Sequence, residues 1–248
     1  MNRIVPTDRV LEKLDDYLSK NDYTAAKRHL AYWLNEAENS GDGRAGLLIN
    51  NELMGLCRKL GEKDEALSFA KSALDLVEKM NIQNNIGAAT TYLNSATVYK
   101  AFGMAEKAIP LFEKAKKIYE QNLLPSDDRL GGLYNNMALA LVDLNRFDEA
   151  DALYKKAISV MQNKMPEQAI TYLNMASAAE VQFGLEGAEE LISTHIQKAM
   201  KLLDLCKNQT DGNYAFVCEK CASVFGYYGY FDYENQLKER CRRIYERT

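Results

Sequence analysis

The sequence predicts an all-α protein, an α-solenoid made of about six antiparallel helix pairs. The first observation is an internal repeat, because the pattern that runs from Tyr134 to Ile158 returns when 42 is subtracted from its positions. The second is the scarcity of helix breakers, since the 248 residues include only 4 prolines and 14 glycines. The third is the helical spacing of apolar residues within each copy. Long internal repeats of this kind are typical of solenoids, in which each unit buries its apolar face on the next.

The helix pairs follow one another along the chain. We place them at about residues 7–40, 44–80, 86–122, 128–163, 167–206 and 213–247, and we expect them to form a single array over residues 1–248. The breaker segment from Ser40 to Gly43 separates the first two pairs, and Gly61 ends the first helix of the second pair. Ser126 or Asp127 caps the helix that begins the fourth pair. The first and last pairs are weaker copies, as expected where a terminal repeat meets water.

Small residues recur in the middle of the first helix of each pair. Tyr134, Met137, Ala138 and Leu141 share one helix face because they are spaced three, four and seven residues from the first of them. We expect this face to pack inside the stack, where a small side chain lets the next helix approach closely. The positions equivalent to Ala138 are Ala96, Ala176 and Ala222.

The order of aromatic, Asn, small residue, turn Gly or Asn, acid-Ala, aromatic and Ala resembles the tetratricopeptide repeat. The spellings Tyr-Asn-Asn-Met-Ala at 134–138 and Ala-Ile-Pro-Leu-Phe at 108–112 are similar to the subclass found in kinesin light chains and in bacterial peptide-responsive regulators. The resemblance covers residues 44–205 well and both ends as weaker copies. It implies helix–turn–helix units stacked into a right-handed superhelix, with the first helices lining the concave side.

The resemblance also implies a binding site on the face opposite the packing face. In similar families an Asn at the place of Asn94, Asn136 and Asn174 reaches into the groove and hydrogen-bonds the backbone of an extended peptide. A carboxamide suits this role because it offers both a donor and an acceptor. The other residues that we expect to line the groove are Leu93, Thr97, Lys100, Asn135, Leu139, Leu173, Ser177 and Arg58.

Two questions about this groove stay open at the level of sequence. Each Asn could instead bond the neighbouring helix and only fix the helix register. Arg58, Lys59 and Lys100 could give the groove a basic end for an acidic peptide or a C-terminal carboxylate, or they could be solvated cations favoured by the helix dipole. Three Asn contacts supply roughly 2–5 kcal/mol, whereas micromolar binding needs about 8 kcal/mol. Apolar pockets near Leu93, Leu139 and Leu173 therefore have to supply the rest.

Composition and motifs argue against several classes of function. A net charge of −4 and a pI near 5.4 provide no attraction for phosphate backbones, so nucleic acid is a poor default partner. We identify no signal peptide and no membrane span, and we expect a cytoplasmic protein without membrane contact. The sequence contains no phosphate-binding loop and no common hydrolase motif, so we expect neither an enzyme nor a bound cofactor.

Two side-chain clusters suggest chemistry but lack the context for it. Cys218 and Cys221 form a CxxC pair, yet no second pair or nearby His completes a metal site, and no βαβ pattern accompanies the pair as in redox motifs. We expect both thiols to pack in the core and no metal to bind. Glu186, Glu189 and Glu190 share a helix face and are interpreted as a solvated surface, because paired carboxylates act as acid and base only where burial separates their pKa values.

The sequence predicts a non-catalytic scaffold that binds a peptide or protein segment in the groove. The alternative is a structural subunit that packs its convex or terminal surface on another copy or on a larger assembly. The aromatic cluster over residues 225–233 either seals the last helix pair or is partly exposed as a contact site. The oligomeric state is open, with a preference for a monomer.

Overall fold

The computed structural model describes residues 4–246. The first helix of each pair packs on the second helix, which follows it in the chain, so the predicted all-α solenoid of six helix pairs is confirmed. The predicted end of the last pair, residue 247, lies outside the described residues. No helix within residues 4–246 has the length and apolar character needed to span a membrane. The helices are α1 (Thr7–Ser19), α2 (Tyr23–Ser40), α3 (Gly43–Leu60), α4 (Lys63–Lys79), α5 (Ile86–Ala101), α6 (Ala105–Asn122), α7 (Asp128–Asp143), α8 (Phe147–Val160), α9 (Met165–Gly187), α10 (Glu189–Leu205), α11 (Gly212–Tyr227) and α12 (Phe231–Tyr245).

The chain divides into two compact units, one ending at Leu123 and the other starting at Leu124. Unit 1 contains α1 to α6, and its first helices α3 and α5 contact each other. Unit 2 contains α7 to α12, and α9 contacts both α7 and α11. First helices therefore lie next to first helices within each unit. That all six pairs form a single array stays a prediction.

The predicted helix ends agree with the local geometry. Gly61 follows α3 with a φ of 76°, a left-handed conformation that glycine adopts without strain, and its N–H donates to the Arg58 and Cys57 carbonyls. Asp127 is the N-cap of α7 and accepts a hydrogen bond from the Arg129 N–H at 3.0 Å. The breaker and cap signals in the sequence thus mark real boundaries.

The small residues of the first helices lie in the core as predicted. Ala96, Ala138 and Ala176 are completely buried, and Ala222 is 2% exposed. Tyr134 and Met137 share this face and are also buried. A larger side chain at these positions would have to displace a neighbouring helix.

A lysine from the second helix lies over a tyrosine of the first helix in three successive pairs. The ammonium of Lys114 is 5.3 Å from the centre of the Tyr92 ring. The corresponding distance is 5.7 Å for Lys156 over Tyr134 and 5.4 Å for Lys198 over Tyr172. These cation–π contacts connect the two helices within a pair.

Helix α9 is longer than the other first helices and changes direction near its end. Gly184 has φ 75° and ψ 167°, a backbone conformation that is reached almost only by glycine. The residues around this break, including Val181, Phe183 and Leu185, are exposed.

Candidate functional site

Asparagines of neighbouring first helices pair with each other in unit 1. The Asn94 side chain on α5 donates from Nδ2 to Oδ1 of Asn51 on α3 at 2.9 Å. The Nδ2 group of Asn51 donates in turn to the Thr91 hydroxyl at 3.0 Å and to the Leu47 carbonyl at 2.9 Å. Asn51 thereby uses both amide hydrogens and its oxygen in contacts within unit 1.

Asn94 keeps hydrogen-bonding capacity that the described residues do not use. It is half-buried, and its only bond in the described part of the chain is the one to Asn51. One N–H and the Oδ1 atom therefore remain available to water or to a ligand. A peptide unit offers the complementary acceptor and donor.

The same arrangement recurs in unit 2. Asn174 on α9 donates from Nδ2 to Oδ1 of Asn135 on α7 at 3.1 Å. Asn174 also keeps one N–H and its Oδ1 atom without a partner among residues 4–246. Asn136 is half-buried and forms no hydrogen bond with the described residues. The asparagine positions thus combine contacts between first helices with unused donors and acceptors.

The other residues of unit 1 that were predicted to line the groove differ in their exposure and in the contacts that they already make. Leu93 is half-buried on α5, and the Thr97 hydroxyl donates to the Leu93 carbonyl at 2.8 Å. Lys100 is half-buried, and it already has a polar, ring or electrostatic contact with another residue of the chain. Arg58 is exposed as a residue, yet burial of part of its side chain lowers the pKa of its guanidinium.

The predicted neighbours in unit 2 lie at different depths. Leu139 on α7 and Ser177 on α9 are half-buried. Leu173 is only 2% exposed and packs in the core of unit 2. Leu173 therefore supports the helix beneath Asn174 and has almost no surface to offer a ligand.

Sequence reasoning missed Asn51 and its neighbour Glu52. Subtracting the 42-residue period from Asn94 leads to Glu52, so the first-helix position occupied by Asn94 and Asn136 carries an acid in α3. Asn51 precedes that position as Asn135 precedes Asn136, and these two preceding residues are the acceptors of the asparagine pairs. Both residues could have been found in the sequence by subtracting the 42-residue period once more, from Asn94 to position 52.

The carboxyl group of Glu52 lies in a desolvated environment. Burial raises its pKa, and the nearby negative charge of Asp15 on α1 raises it further. No hydrogen bond or ion pair with the described residues compensates Glu52. The first-helix face of unit 1 therefore contains an acid that favours its protonated form more than an exposed glutamate does.

One group of side chains in unit 1 has the spacing of metal ligands. The ligand atoms of Cys57, Glu62 and Glu65 all lie within 4.8 Å of one another. The Lys27 ammonium contacts Glu62 at 2.8 Å and Glu65 at 2.5 Å, so a cation already balances the two carboxylates. Burial raises the pKa of Cys57 to about 12, which opposes the thiolate form that binds metals. These residues fit a lysine-centred ion-pair cluster better than a metal site.

The two cysteines of the CxxC pair are buried in unit 2. Cys218 is completely buried and Cys221 is 1% exposed. Burial raises the pKa of Cys218 to about 11 and also raises that of Cys221. A thiol that resists ionisation is a poor nucleophile and a poor metal ligand, so both residues pack as small apolar side chains.

The aromatic cluster at the end of unit 2 has an inner and an outer part. Phe225 is completely buried and contacts Tyr233 edge to face, with 4.7 Å between ring centres. Tyr227 and Phe231 are 65% and 64% exposed. The cluster therefore seals the last helix pair and also presents two aromatic side chains to solvent.

Comparison with known proteins identifies the repeat. Residues 87–163 match the family model described as Tetratricopeptide repeat. The fold is shared with a putative kinesin light chain of Podosopora anserina with nearly identical TPR-like repeats, at 17% identity over 80% of this chain and 94% of that chain, with a TM-score of 0.54. BtubC (BKLC) from P. vanneervenii has 19% identity over 97% of this chain and 91% of that chain, with a TM-score of 0.52.

A third structure is that of a Rap protein complexed with Competence and Sporulation Factor. It has 14% identity over 95% of this chain and 73% of that chain, with a TM-score of 0.54. At these identities the likeness establishes the fold. A search of curated proteins gives no match.

Proposed function

Because residues 87–163 match the tetratricopeptide repeat and the chain shares the fold of such proteins, which are generally non-catalytic interaction scaffolds, we propose that it binds an extended peptide or protein segment on its first helices. In each unit the binding face is the side of the first helices that carries the asparagines, on α3 and α5 in unit 1 and on α7 and α9 in unit 2. We propose that this first-helix face serves as the groove that the repeat family implies. We further propose that the protein works in the cytoplasm, without catalysis, nucleic acid or membrane contact.

The observation that carries the proposal is the unused chemistry of Asn94 and Asn174. Each is held by one hydrogen bond to an Asn of the preceding first helix and keeps one donor and one acceptor. A side chain that is already oriented loses little conformational freedom when a ligand binds. A peptide backbone can pair with such a carboxamide whatever its side chains are.

The structural role of the asparagines and the binding role coexist. The bonds between Asn94 and Asn51 and between Asn174 and Asn135 support a contribution of these residues to helix register. The remaining donor and acceptor supply the binding contacts. A Rap protein of similar fold has been crystallised with Competence and Sporulation Factor, which supports a binding role for this kind of solenoid.

The energetic requirement assigns a share of the affinity to apolar contacts. Hydrogen bonds from Asn94, Asn136 and Asn174 contribute roughly 2–5 kcal/mol of the about 8 kcal/mol that micromolar binding needs. Leu93 and Leu139 are half-buried and can supply apolar surface, as can the methyl group of Thr97. We propose that Lys100, Arg58, Asn135 and Ser177 contribute polar contacts, with Leu173 as support below the surface.

The proposal is tested by identifying a bound segment and then removing the carboxamides. Pull-down with mass spectrometry supplies candidate segments, whose affinity is measured by calorimetry. Replacing Asn94, Asn136 and Asn174 by Ala should weaken binding roughly thirtyfold to several thousandfold while far-UV circular dichroism stays unchanged. Unchanged affinity would assign these residues a structural role alone.

A matched control uses asparagines that lie elsewhere. Asn39, Asn163 and Asn235 are exposed, and none belongs to the first-helix face. Their replacement by Ala removes the same number of carboxamides and should leave the affinity unchanged. Replacing Asn94 alone, or Asn136 and Asn174 together, then shows which unit supplies the contacts.

The second candidate function is that of a structural subunit. The exposure of Tyr227 and Phe231 supports it, because exposed aromatic side chains are enriched at protein interfaces. Size-exclusion chromatography with light scattering separates the candidates. A monomer favours the first-helix face as the working surface, whereas a stable oligomer that depends on Tyr227 and Phe231 favours the structural subunit.

A further inference from the structure

Exposed apolar side chains concentrate at one end of unit 2. This end, called here the acidic aromatic end, consists of residues 180–196 and 224–234. The two segments are joined by the Tyr227 and Tyr228 hydroxyls, which both donate to the Glu180 carboxylate. Several large apolar side chains that are exposed in neighbouring segments are a common mark of an interaction site. The large apolar residues that it exposes are Val181, Phe183, Leu185, Leu191, Tyr227 and Phe231.

The charge of the acidic aromatic end has a single sign. Its two segments contain six carboxylates and no lysine or arginine, whereas the whole chain has a net charge of only −4. Glu234 is paired with Lys238 at 2.7 Å, and Glu180 accepts the two tyrosine hydroxyls. The other carboxylates, which have no partner among residues 4–246, are Glu186, Glu189, Glu190 and Asp232.

A cavity of about 410 Å³ opens in this end where α9 passes into α10. Its apolar wall is formed by Leu185, Ile192 and Ile196, and Tyr228 and Tyr230 close it from the other segment. Glu186 and Glu189 also line it. The cavity thus combines an apolar wall, aromatic rings and two carboxylates without a cation.

The aromatic rings next to the cavity are held in place. The Tyr227 hydroxyl donates to Glu180 Oε1 at 2.6 Å, and the Tyr228 hydroxyl donates to Oε2 at 2.7 Å. The two rings contact each other edge to face, with 4.9 Å between their centres. A preformed aromatic surface binds a partner at a lower cost in side-chain entropy than a mobile one.

We propose that the acidic aromatic end binds a basic amphipathic segment of another protein and takes one of its arginine or lysine side chains into the cavity. Such a side chain has an apolar stem that suits Leu185, Ile192 and Ile196. Its charged head suits Glu186 and Glu189, and the rings of Tyr228 and Tyr230 add a cation–π surface. The neighbouring exposed apolar side chains then cover the apolar residues of the segment. This site shares no residue with the asparagine pairs and goes beyond the peptide binding proposed above.

Charge argues against a second copy of this chain as the occupant. Two copies that met through the acidic aromatic end would bring six carboxylates of one chain against six of the other, and among these only Glu234 is paired with a cation, Lys238. Like charges at an interface suppress association. A basic partner removes this repulsion and gains complementarity.

The test uses a labelled probe and its neutral analogue. The probe is the peptide acetyl-Phe-Arg-Leu-Arg-Phe-amide with a fluorescent label, and the analogue has citrulline in place of both arginines. Fluorescence anisotropy with the full chain at low salt should show the arginine peptide binding at least tenfold more tightly than the citrulline peptide. The difference should shrink as salt is added, because screening weakens exposed charge pairs.

Variants assign the binding to the cavity. Replacing Glu186 and Glu189 by Gln should reduce the affinity for the arginine peptide at least fivefold and leave the affinity for the citrulline peptide unchanged. The control variant replaces Asp148 by Asn and Glu219 by Gln, since both residues are exposed in unit 2 and neither lines the cavity. It removes the same charge and should bind both peptides as the wild type does.

Several results would overturn the proposal. They are no detectable binding of the arginine peptide, equal binding of the two peptides, or equal loss of affinity in the cavity variant and the control variant. A concentration-dependent dimer that disappears when Tyr227 and Phe231 are replaced by Ser would assign this end to a second copy. Circular dichroism of each variant verifies that the helices are retained.

Discussion

The bond between Asn51 and Asn94 should have an asymmetric effect on stability when either partner is removed. Asn51 forms three hydrogen bonds, to Asn94, Thr91 and the Leu47 carbonyl, whereas Asn94 forms one with the described residues. Hydrogen bonds of this kind are worth about 0.5–1.5 kcal/mol each, so Asn51→Ala should cost roughly 2–4 kcal/mol and Asn94→Ala about 1 kcal/mol.

The double variant adds a measurement of the bond itself. Once Asn51 is absent, removing Asn94 breaks nothing further between α3 and α5. The double variant should therefore be more stable than the sum of the single losses predicts, by about 0.5–1.5 kcal/mol. This coupling energy isolates the pair from other effects of each substitution.

The assay follows urea unfolding by tryptophan fluorescence. Trp33 is the only tryptophan of the chain and lies on α2 in unit 1, the unit that contains both asparagines. Its fluorescence reports the unfolding of the part of the molecule that the substitutions affect. Asn39→Ala, on the exposed side of α2, is the control and should leave the midpoint unchanged. Additive losses, or a larger loss for Asn94→Ala than for Asn51→Ala, would refute the asymmetry.

Three further changes have predictable outcomes. Ala138→Leu should lower the free energy of unfolding by roughly 1–3 kcal/mol, because Ala138 is completely buried; an unchanged melting curve would contradict its packing. Gly184→Ala should cost about 1–3 kcal/mol from backbone strain alone, since an added Cβ meets no atom within 4 Å, and urea unfolding followed by circular dichroism measures it. Glu52→Gln should stabilise the protein at pH 7 and have a smaller effect near pH 4. The folded protein loses stability as the pH rises through the raised pKa of Glu52, because the carboxyl then ionises in a buried place, and Gln cannot ionise. An increase in the free energy of unfolding that is the same at both pH values would point to another cause.

Local signals were sufficient to predict the helix pairs and their inner faces. Gly61 and Asp127 act within a few residues of the positions they mark, so their roles can be read without knowing what packs against them. The alanines at 96, 138 and 176 could be located because helical spacing and the repeat agree on the same face. Fold class followed from these local rules.

The details of the site depend on how closely neighbouring helices pack, which cannot be predicted from local sequence patterns. Asn94 and Asn136 occupy the same place in the repeat, yet Asn94 bonds the preceding helix and Asn136 bonds no described residue. The acceptors Asn51 and Asn135 lie one residue before that place. A shift of one residue rotates a side chain by about 100° around a helix, so the partner is decided by how neighbouring helices are packed.

Burial in the aromatic cluster was equally hard to predict. Phe225 is completely buried and Phe231 is 64% exposed, although both are large aromatic residues six positions apart. The turn between α11 and α12 resets the helical phase, so spacing alone does not show which ring faces inward. The acids at Glu186 and Glu189 acquire a possible role only when the cavity next to them is seen.

The lysine–tyrosine contacts within helix pairs bear on how the chain folds during synthesis. Lys114 and Tyr92, and likewise Lys156 and Tyr134, are separated by 22 residues, and Lys198 and Tyr172 by 26. Contacts over such short separations close small loops and favour rapid folding. Each pair can therefore join its two helices soon after its second helix leaves the ribosome, before the next pair has been made.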